Sequence, residues 1–292
     1  MSITTDFEQF CNNLRMPDAL VDKISSRYKN ITQRINLDFR GLNSDTAYSF
    51  YTGSYGRGTE TKTSDIDMIV ILPYQTYLQY NGYSWNGQSA LLQSVKNSLQ
   101  KTYSSSAIGG DGQVVVISFS DGIRFEVVPA FENRDGSYTY PDSNNGGQWQ
   151  TMDPKAEIRA FNKMNDECNH NLKRLCRMAR AWNAENNVFM KGILIDTTAY
   201  RFMSNYEYRD KSYTYYDWMS RDFMQFLYDN ADQSYWTVPG SNWHVTKAYS
   251  FKRESKEGVE RCKSAIEYDS KNMPYSAHSE WRKHYGSKFP TS

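Results

Sequence analysis

Tyr51-Thr-Gly-Ser-Tyr-Gly-Arg-Gly-Thr-Glu-Thr-Lys-Thr-Ser-Asp-Ile-Asp-Met-Ile-Val-Ile-Leu72 decides how this chain is read. A Gly53-Ser54 pair opens it, glycines follow at 56 and 58, and Asp65-Ile-Asp67 leads into an apolar run. That run predicts a strand from Asp67 to Leu72. Side chains alternate on a strand, so Asp65 and Asp67 share one face, about 7 Å apart along the chain, while Ile66 and Met68 turn to the core. Two carboxylates on one face repel unless a cation lies between them, and such oxygen ligands suit Mg²⁺ or Mn²⁺. Gly53 lets the backbone approach a ligand closely, and Ser54 adds a hydroxyl. A helix starting near residue 54 would present free N–H groups to a phosphate. A phosphate cradle followed about a dozen residues later by a metal clamp is what moving a nucleotide from a triphosphate requires.

Two-metal chemistry needs a further carboxylate. Glu126, in Ile123-Arg-Phe-Glu-Val-Val-Pro-Ala-Phe131, is the best candidate. Alternation puts Ile123, Phe125 and Val127 on one face and Arg124, Glu126 and Val128 on the other. If this strand neighbours that of Asp67, Glu126 completes a triad with Asp65 and Asp67. The bland alternative is an edge-strand glutamate paired with Arg124 or a lysine.

Working outward, residues 5–36 carry Phe7, Phe10, Leu14, Leu20, Ile24, Tyr28 and Ile31 at helical spacing, with a break at Pro17. Ala47–Tyr51 reads as a short strand, Gln88–Tyr103 as a helix, and Val114–Phe119 with Ile123–Pro129 as a hairpin across Ser120-Asp121-Gly122. Residues 133–153, rich in Asn, Asp, Gly and Ser, read as a loop and as the domain boundary. Asp153-Pro154 looks like an N-cap with proline at the first helical position. Helices are expected at 154–165, 167–187, 191–206, 215–230, 243–270 and 277–285. The fold class is therefore α+β: residues 1–150 form a lobe with a mixed sheet and an N-terminal helix, and residues 151–292 form a helical lobe.

The chain has 292 residues, Lys+Arg 34 against Asp+Glu 33, and aromatics at 15%. A net charge of +1 excludes the basic surface of a dedicated duplex-binding protein. The four cysteines (11, 168, 176, 262) form no C-x-x-C pair, so reduced thiols in a cytoplasmic protein are expected. No basic n-region precedes an apolar stretch at the start, and no apolar run reaches the ~20 residues that span a bilayer, so neither secretion nor a membrane is expected.

Lys173, Arg177 and Arg180 fall at i, i+4 and i+7, opposite Leu172, Leu175, Cys176 and Ala179. Such a stripe is usually a solvated helix face. Facing a donor nucleotide, it would neutralise the β- and γ-phosphates, led by Lys173 and Arg180. Residues 206–218 are dense in tyrosine, and aromatic faces can stack on bases. Packing between helices is the commoner fate of any single ring. The four histidines are scattered, and no chemistry is assigned to them.

The Gly-Ser and Asp-x-Asp motifs resemble the signature of the polymerase-β-like nucleotidyltransferase superfamily. More narrowly, the chain resembles the bacterial cGAS/DncV-like nucleotidyltransferases (CD-NTases). Phe125–Phe131, Leu172–Trp182, Met190–Thr197, Arg221–Phe223, Val238–Ser241 and Trp281–Pro290 extend the likeness over most of the chain. The resemblance implies two lobes on either side of a cleft, with the N-terminal helix bracing both. It implies synthesis of cyclic di- or trinucleotides from NTPs, with release of pyrophosphate. The product would be a second messenger of antiphage defence, read by a separate effector protein. Carried over by position, Gly53 and Ser54 would bind the donor triphosphate, and Asp65, Asp67 and Glu126 would hold Mg²⁺. Many relatives have aspartate where Glu126 stands, and the extra methylene changes reach, which implies a slightly altered metal geometry or a preference for Mn²⁺. At the position of the base-stacking tyrosine of animal relatives stand Gly192 and Ile193, which directs the search to Tyr208, Tyr213 or Tyr216. A monomer is expected. Two other readings stay open: a transferase acting on RNA or a protein, which the near-neutral charge disfavours for RNA, and a silent nucleotide-binding regulator, which the intact carboxylates disfavour.

Overall fold

The computed structural model describes residues 3–61 and 65–291. Along the chain run α1 (Ile3–Asn13), α2 (Asp18–Arg40), β1 (Ser49–Tyr51), α3 (Gly53–Arg57), β2 (Ile66–Ile71), α4 (Tyr74–Asn81), α5 (Gly87–Gln100), β3 (Ala107–Asp111), β4 (Val114–Ser118) and β5 (Arg124–Glu132). There follow β6 (Tyr138–Asp142), β7 (Gln148–Met152), α6 (Pro154–Glu167), α7 (Asn171–Glu185), α8 (Gly192–Met203), α9 (Tyr216–Asp229), β8 (Tyr235–Thr237), β9 (His244–Thr246), α10 (Lys252–Ser270) and α11 (Pro274–Tyr285). The fold is α+β, as expected, with a mixed sheet and a helical remainder.

The chain divides into two compact units. One comprises Met16–Arg57 with Thr63–Ile158; the other comprises Met1–Arg15, Gly58–Lys62 and Arg159–Ser292. The division thus falls at 158/159, and α1 packs with the helical unit while α2 packs with the sheet.

In the sheet unit the strand order is β1-β2-β5-β4-β3, and β6 and β7 extend it from the far end of β5. Among the described residues only β2 and β5 run parallel; the other pairs are antiparallel. One face carries Ile66, Met68, Val70, Phe125, Val127, Val115 and Ile117, and buries them against Ile31 and Ile35 of α2 and Leu91, Val95 and Leu99 of α5. The opposite face has a smaller cluster, Ile69 and Ala130 against Tyr138. Alternation along β2 therefore sends Met68 inward and leaves Asp67 beside this second face. α2 ends at Gly41, whose φ of +64° and N–H bond back to Leu37 form a left-handed cap.

The helical unit packs Phe7 and Phe10 of α1 against Trp281, Tyr285 and Phe289, with ring centroids 5.1 Å apart for Phe7–Trp281. Asp6 accepts from His278 Nε2 at 3.0 Å in the same core. All four cysteines are buried free thiols.

Several local readings need correction. Residues 133–153 are not a loop: β6 and β7 form a hairpin across Asn144–Gly146, and Tyr138 is fully buried. The Asn/Gly run is its turn, and the flanking Tyr-Thr-Tyr and Trp-Gln-Thr alternate as strands do. The helix expected over 243–270 starts only at Lys252, because His244–Thr246 pairs with Tyr235–Thr237 and buries Val245 and Trp236. α4 and β3 were not anticipated. The N-cap at Asp153 holds: its Oδ1 accepts from Ala156 N at 2.9 Å.

Candidate active site

Parallel pairing sets Asp67 of β2 directly opposite Glu126 of β5, and Ile66 opposite Phe125. Opposed residues of neighbouring strands face the same way, so the two carboxylates stand side by side on the face away from α2 and α5. Asp65 lies two residues before Asp67, at the entrance to β2. The local part of this arrangement is the alternation within each strand. The non-local part is the register.

β1 runs antiparallel to β2, and the chain then turns at Gly53 into the short α3. Thr52 N donates to Asp67 O at 2.9 Å, which ties the turn to the strand. Gly53 has φ +59°, and a β-carbon built on it would come within 2.6 Å of Asp67 Cγ. Only glycine fits here, for both reasons. Ser54 sits in the first turn of α3. The helix does begin where the sequence places it, although it lasts only five residues.

Burial is the main cause that raises the Asp67 carboxyl to about 6, and the neighbouring charge of Glu126 adds to it. Burial likewise raises Glu126, against the opposing pull of Arg124. The pair is short of positive charge. Arg124 supplies some of it: its guanidinium donates to Asp65 Oδ2 at 3.4 Å and pairs with Glu126 Oε1 at 3.0 Å. The bland alternative for Glu126, a pairing with Arg124, is thus present together with the clustering of acids rather than instead of it. Among the described residues no three acidic, histidine or cysteine side chains already form a metal cage. Without a divalent cation the carboxylates repel, and Arg124 holds two of the three. Hard oxygen donors, partly buried and undercompensated, fit Mg²⁺ or Mn²⁺.

Around this site lie partners the sequence did not disclose. Arg57, at the end of α3, is buried and pairs with the buried Glu157 of α6 at 3.3 Å. That bond ties the turn to the helix following β7.

Lys173 and Arg180 belong to the helical unit. Leu172, Leu175, Cys176 and Ala179 are buried beneath them, so the amphipathic reading of α7 holds. Lys173 Nζ donates to Asn162 Oδ1 at 2.7 Å. Arg180 is engaged: its guanidinium grips both oxygens of the fully buried Asp196, with Nη2 to Oδ2 at 3.0 Å. Thr59 donates to the same Oδ2 at 2.7 Å. A lone aspartate inside the apolar run Gly192-Ile-Leu-Ile-Asp-Thr was the one available signal of a buried partner. Of the aromatic candidates, Tyr216 is buried with its hydroxyl on Asn171, and Tyr208 stacks on Tyr215. Tyr213 lies under Arg174, whose guanidinium carbon is 4.9 Å from the ring centroid. His278 and His284 are core residues.

Comparison with known proteins agrees with this architecture. Residues 1–165 match the Second Messenger Oligonucleotide or Dinucleotide Synthetase domain. A "Probable cyclic nucleotide synthase" of Bacillus cereus (strain VD146) is 22% identical over 178 residues, 57% of this chain and 52% of that protein. The match thus spans about half the length of that curated relative. Among solved structures, the E. coli MS115-1 CdnC:HORMA-deltaN complex aligns with TM-score 0.70 at 13% identity, covering 98% of both chains. The Bradyrhizobium diazoefficiens CD-NTase CdnG in complex with GTP aligns with TM-score 0.68 at 11% identity, covering 98% of this chain and 96% of that one. These structures share the fold. No helix among the described residues is long and apolar enough to cross a membrane. With its sheet, its Gly-Ser turn and its opposed acids in place, the chain belongs to the Second Messenger Oligonucleotide or Dinucleotide Synthetase family and is a CD-NTase.

Proposed function

We propose that the protein joins nucleoside triphosphates into a cyclic di- or trinucleotide and releases pyrophosphate, and that the product is a second messenger of antiphage defence read by a separate effector. The observation that carries this reading is the register that opposes Asp67 to Glu126 beside the Gly53 turn. Asp65, Asp67 and Glu126 are the residues that would hold Mg²⁺ or Mn²⁺. When bound, such a cation activates the acceptor hydroxyl and steadies charge on the transferring phosphate.

The chain's own residues do the rest. Gly53 brings the backbone of the turn against Asp67, so that a triphosphate on Gly53-Ser54 has its α-phosphate beside the carboxylates. Partial burial of Asp67 and Glu126 reduces the screening of these two acids by water, which strengthens their grip on a cation. Arg124 holds Asp65 and Glu126 in place until a divalent ion takes over their charge. Lys173 is proposed as a donor-phosphate contact. Arg180, with its guanidinium committed to Asp196, is proposed to act on the donor phosphates through the position of α7 and α8.

Incubation with each labelled NTP alone, and with an equimolar mixture, tests this. A free, phosphatase-resistant product identified by mass spectrometry is expected. Turnover that appears only when RNA or a protein substrate is added overturns the cyclase reading, and NTP binding without pyrophosphate release points to a regulator.

A further inference from the structure

The helical unit contains a cavity of about 380 Å³ between the end of α1, the start of α7 and Tyr213. Arg15, His170, Lys173, Arg174 and Arg177 line it, and among the described residues no aspartate or glutamate does. The local origin is plain. α7 presents cations at i, i+1 and i+4 on its exposed side, and the turn after α1 delivers Arg15 from the other wall.

Their charge is poorly compensated. Arg177 pairs with Glu60 at 3.3 Å. Lys173 donates to the neutral Asn162. Arg174 donates to Asn171 Oδ1 at 3.2 Å and to the Tyr216 hydroxyl at 3.3 Å, both neutral. Among the described residues, no carboxylate lies within ion-pair distance of Arg15, Lys173 or Arg174. His170 lies 3.6 Å from Asp166, so Arg177 and His170 have acidic partners; the remaining clustered cations repel one another, and an anionic ligand relieves that cost. Burial and the charge of Arg177 both lower the Lys173 ammonium, in keeping with the crowding.

The cavity is also preorganised. Asn171 donates to the carbonyls of Arg209 and Lys211 at 2.9 and 2.7 Å, which fixes its Oδ1 toward Arg174. The Tyr213 ring supports the same guanidinium. A held guanidinium fork matches phosphate oxygens, and less freedom is lost when they bind. Cations on two opposing walls, around a space larger than a single phosphate, call for linked phosphates.

We propose that this cavity binds a small molecule through a pyrophosphate group, either free pyrophosphate or a nucleotide. The site is built from the helical unit alone and does not rest on the proposed cyclase activity. Lys173 is common to both readings, so the test leaves it in place.

Isothermal titration of the full chain in EDTA, with sodium pyrophosphate, ATP and orthophosphate in separate arms, tests the proposal. Pyrophosphate should bind the wild type, and Arg15→Ala and Arg174→Gln should each weaken it about tenfold or more, since a lost charge-assisted hydrogen bond is worth ~1.5–3 kcal/mol. ATP or pyrophosphate binding more tightly supports the proposal and identifies the source. No pyrophosphate binding, orthophosphate binding equally well, or unchanged pyrophosphate binding in Arg15→Ala each overturns it. Arg15 is exposed, so Arg15→Ala decides the matter if Arg174→Gln does not fold.

Discussion

The α-carbon of Gly53 rests against the carboxylate of Asp67, leaving no room for a β-carbon at position 53. The turn proposed to hold a triphosphate and the acid proposed to hold a metal are therefore one mechanical unit. Gly53→Ala must move one or the other. A displacement of about 1 Å at a reacting centre costs about 100-fold in rate. Product formation should fall by that order, and the left-handed φ should cost ~1–3 kcal/mol of stability. Near wild-type turnover in Gly53→Ala would show that the two do not act together.

Removing a repelling carboxylate should not harm the fold. Asp67→Asn relieves the like charges of Glu126 and Asp65, so in EDTA its Tm should equal or exceed that of the wild type. Added Mg²⁺ should raise the wild-type Tm, because ligands that bind only the native state stabilise it. It should leave the variant unmoved, and product should be absent. Scanning calorimetry with and without Mg²⁺ checks both parts. A variant that still responds to Mg²⁺ places the metal elsewhere.

Asp196 is a structural anion. It is fully buried between Arg180 and Thr59. Asp196→Ala leaves a buried guanidinium uncompensated, and breaking such a pair from one side costs ~3–5 kcal/mol. Arg180→Met with Asp196→Leu should be milder than either single change, as measured in urea by a double-mutant cycle. If Arg180→Met alone leaves stability intact and abolishes NTP binding, the arginine contacts substrate directly.

His284 should make the helical unit acid-sensitive. Complete burial lowers it from 6.5 to about 3, with the Arg261 charge adding to the effect. The unfolded chain therefore binds a proton that the native chain refuses between those values. Stability is full above about pH 6.5 and declines as pH falls toward 3, with a slope of up to one proton. His284→Gln should flatten the decline, and urea unfolding at a series of pH values from 7 to 4 would measure the difference. Parallel curves for the two proteins would mean that His284 does not carry the effect.

Much of the sheet unit is legible because its signals are local. Alternation marks β2 and β5, and the proline at 17 separates α1 from α2. The Asp65-Ile-Asp67 spacing puts two acids on one face with no tertiary information. The register that sets Glu126 opposite Asp67 is different in kind: it joins residues 59 positions apart and depends on how β2 and β5 slide into a common core. The β6–β7 hairpin was obscured because its polar turn dominates composition, although Tyr138 is buried by contacts with Ile69 and Ala130. β8 and β9 are three residues each and exist through packing of Trp236 and Val245 rather than through propensity. The commitment of Arg180 to Asp196 could not be seen in a charge stripe, since a stripe shows which side a cation takes and not what meets it.

The Asp6–His278 bond spans 272 positions, and Phe7 and Phe10 meet their aromatic partners just as far downstream. On the ribosome, α1 is made long before Trp281 and Phe289 and must wait, its apolar face unshielded, until they are synthesised. The sheet unit, whose contacts close by Ile158, is free to fold long before that. Maturation of this protein thus has a built-in order, and a chaperone that shelters a nascent amphipathic helix would act on α1.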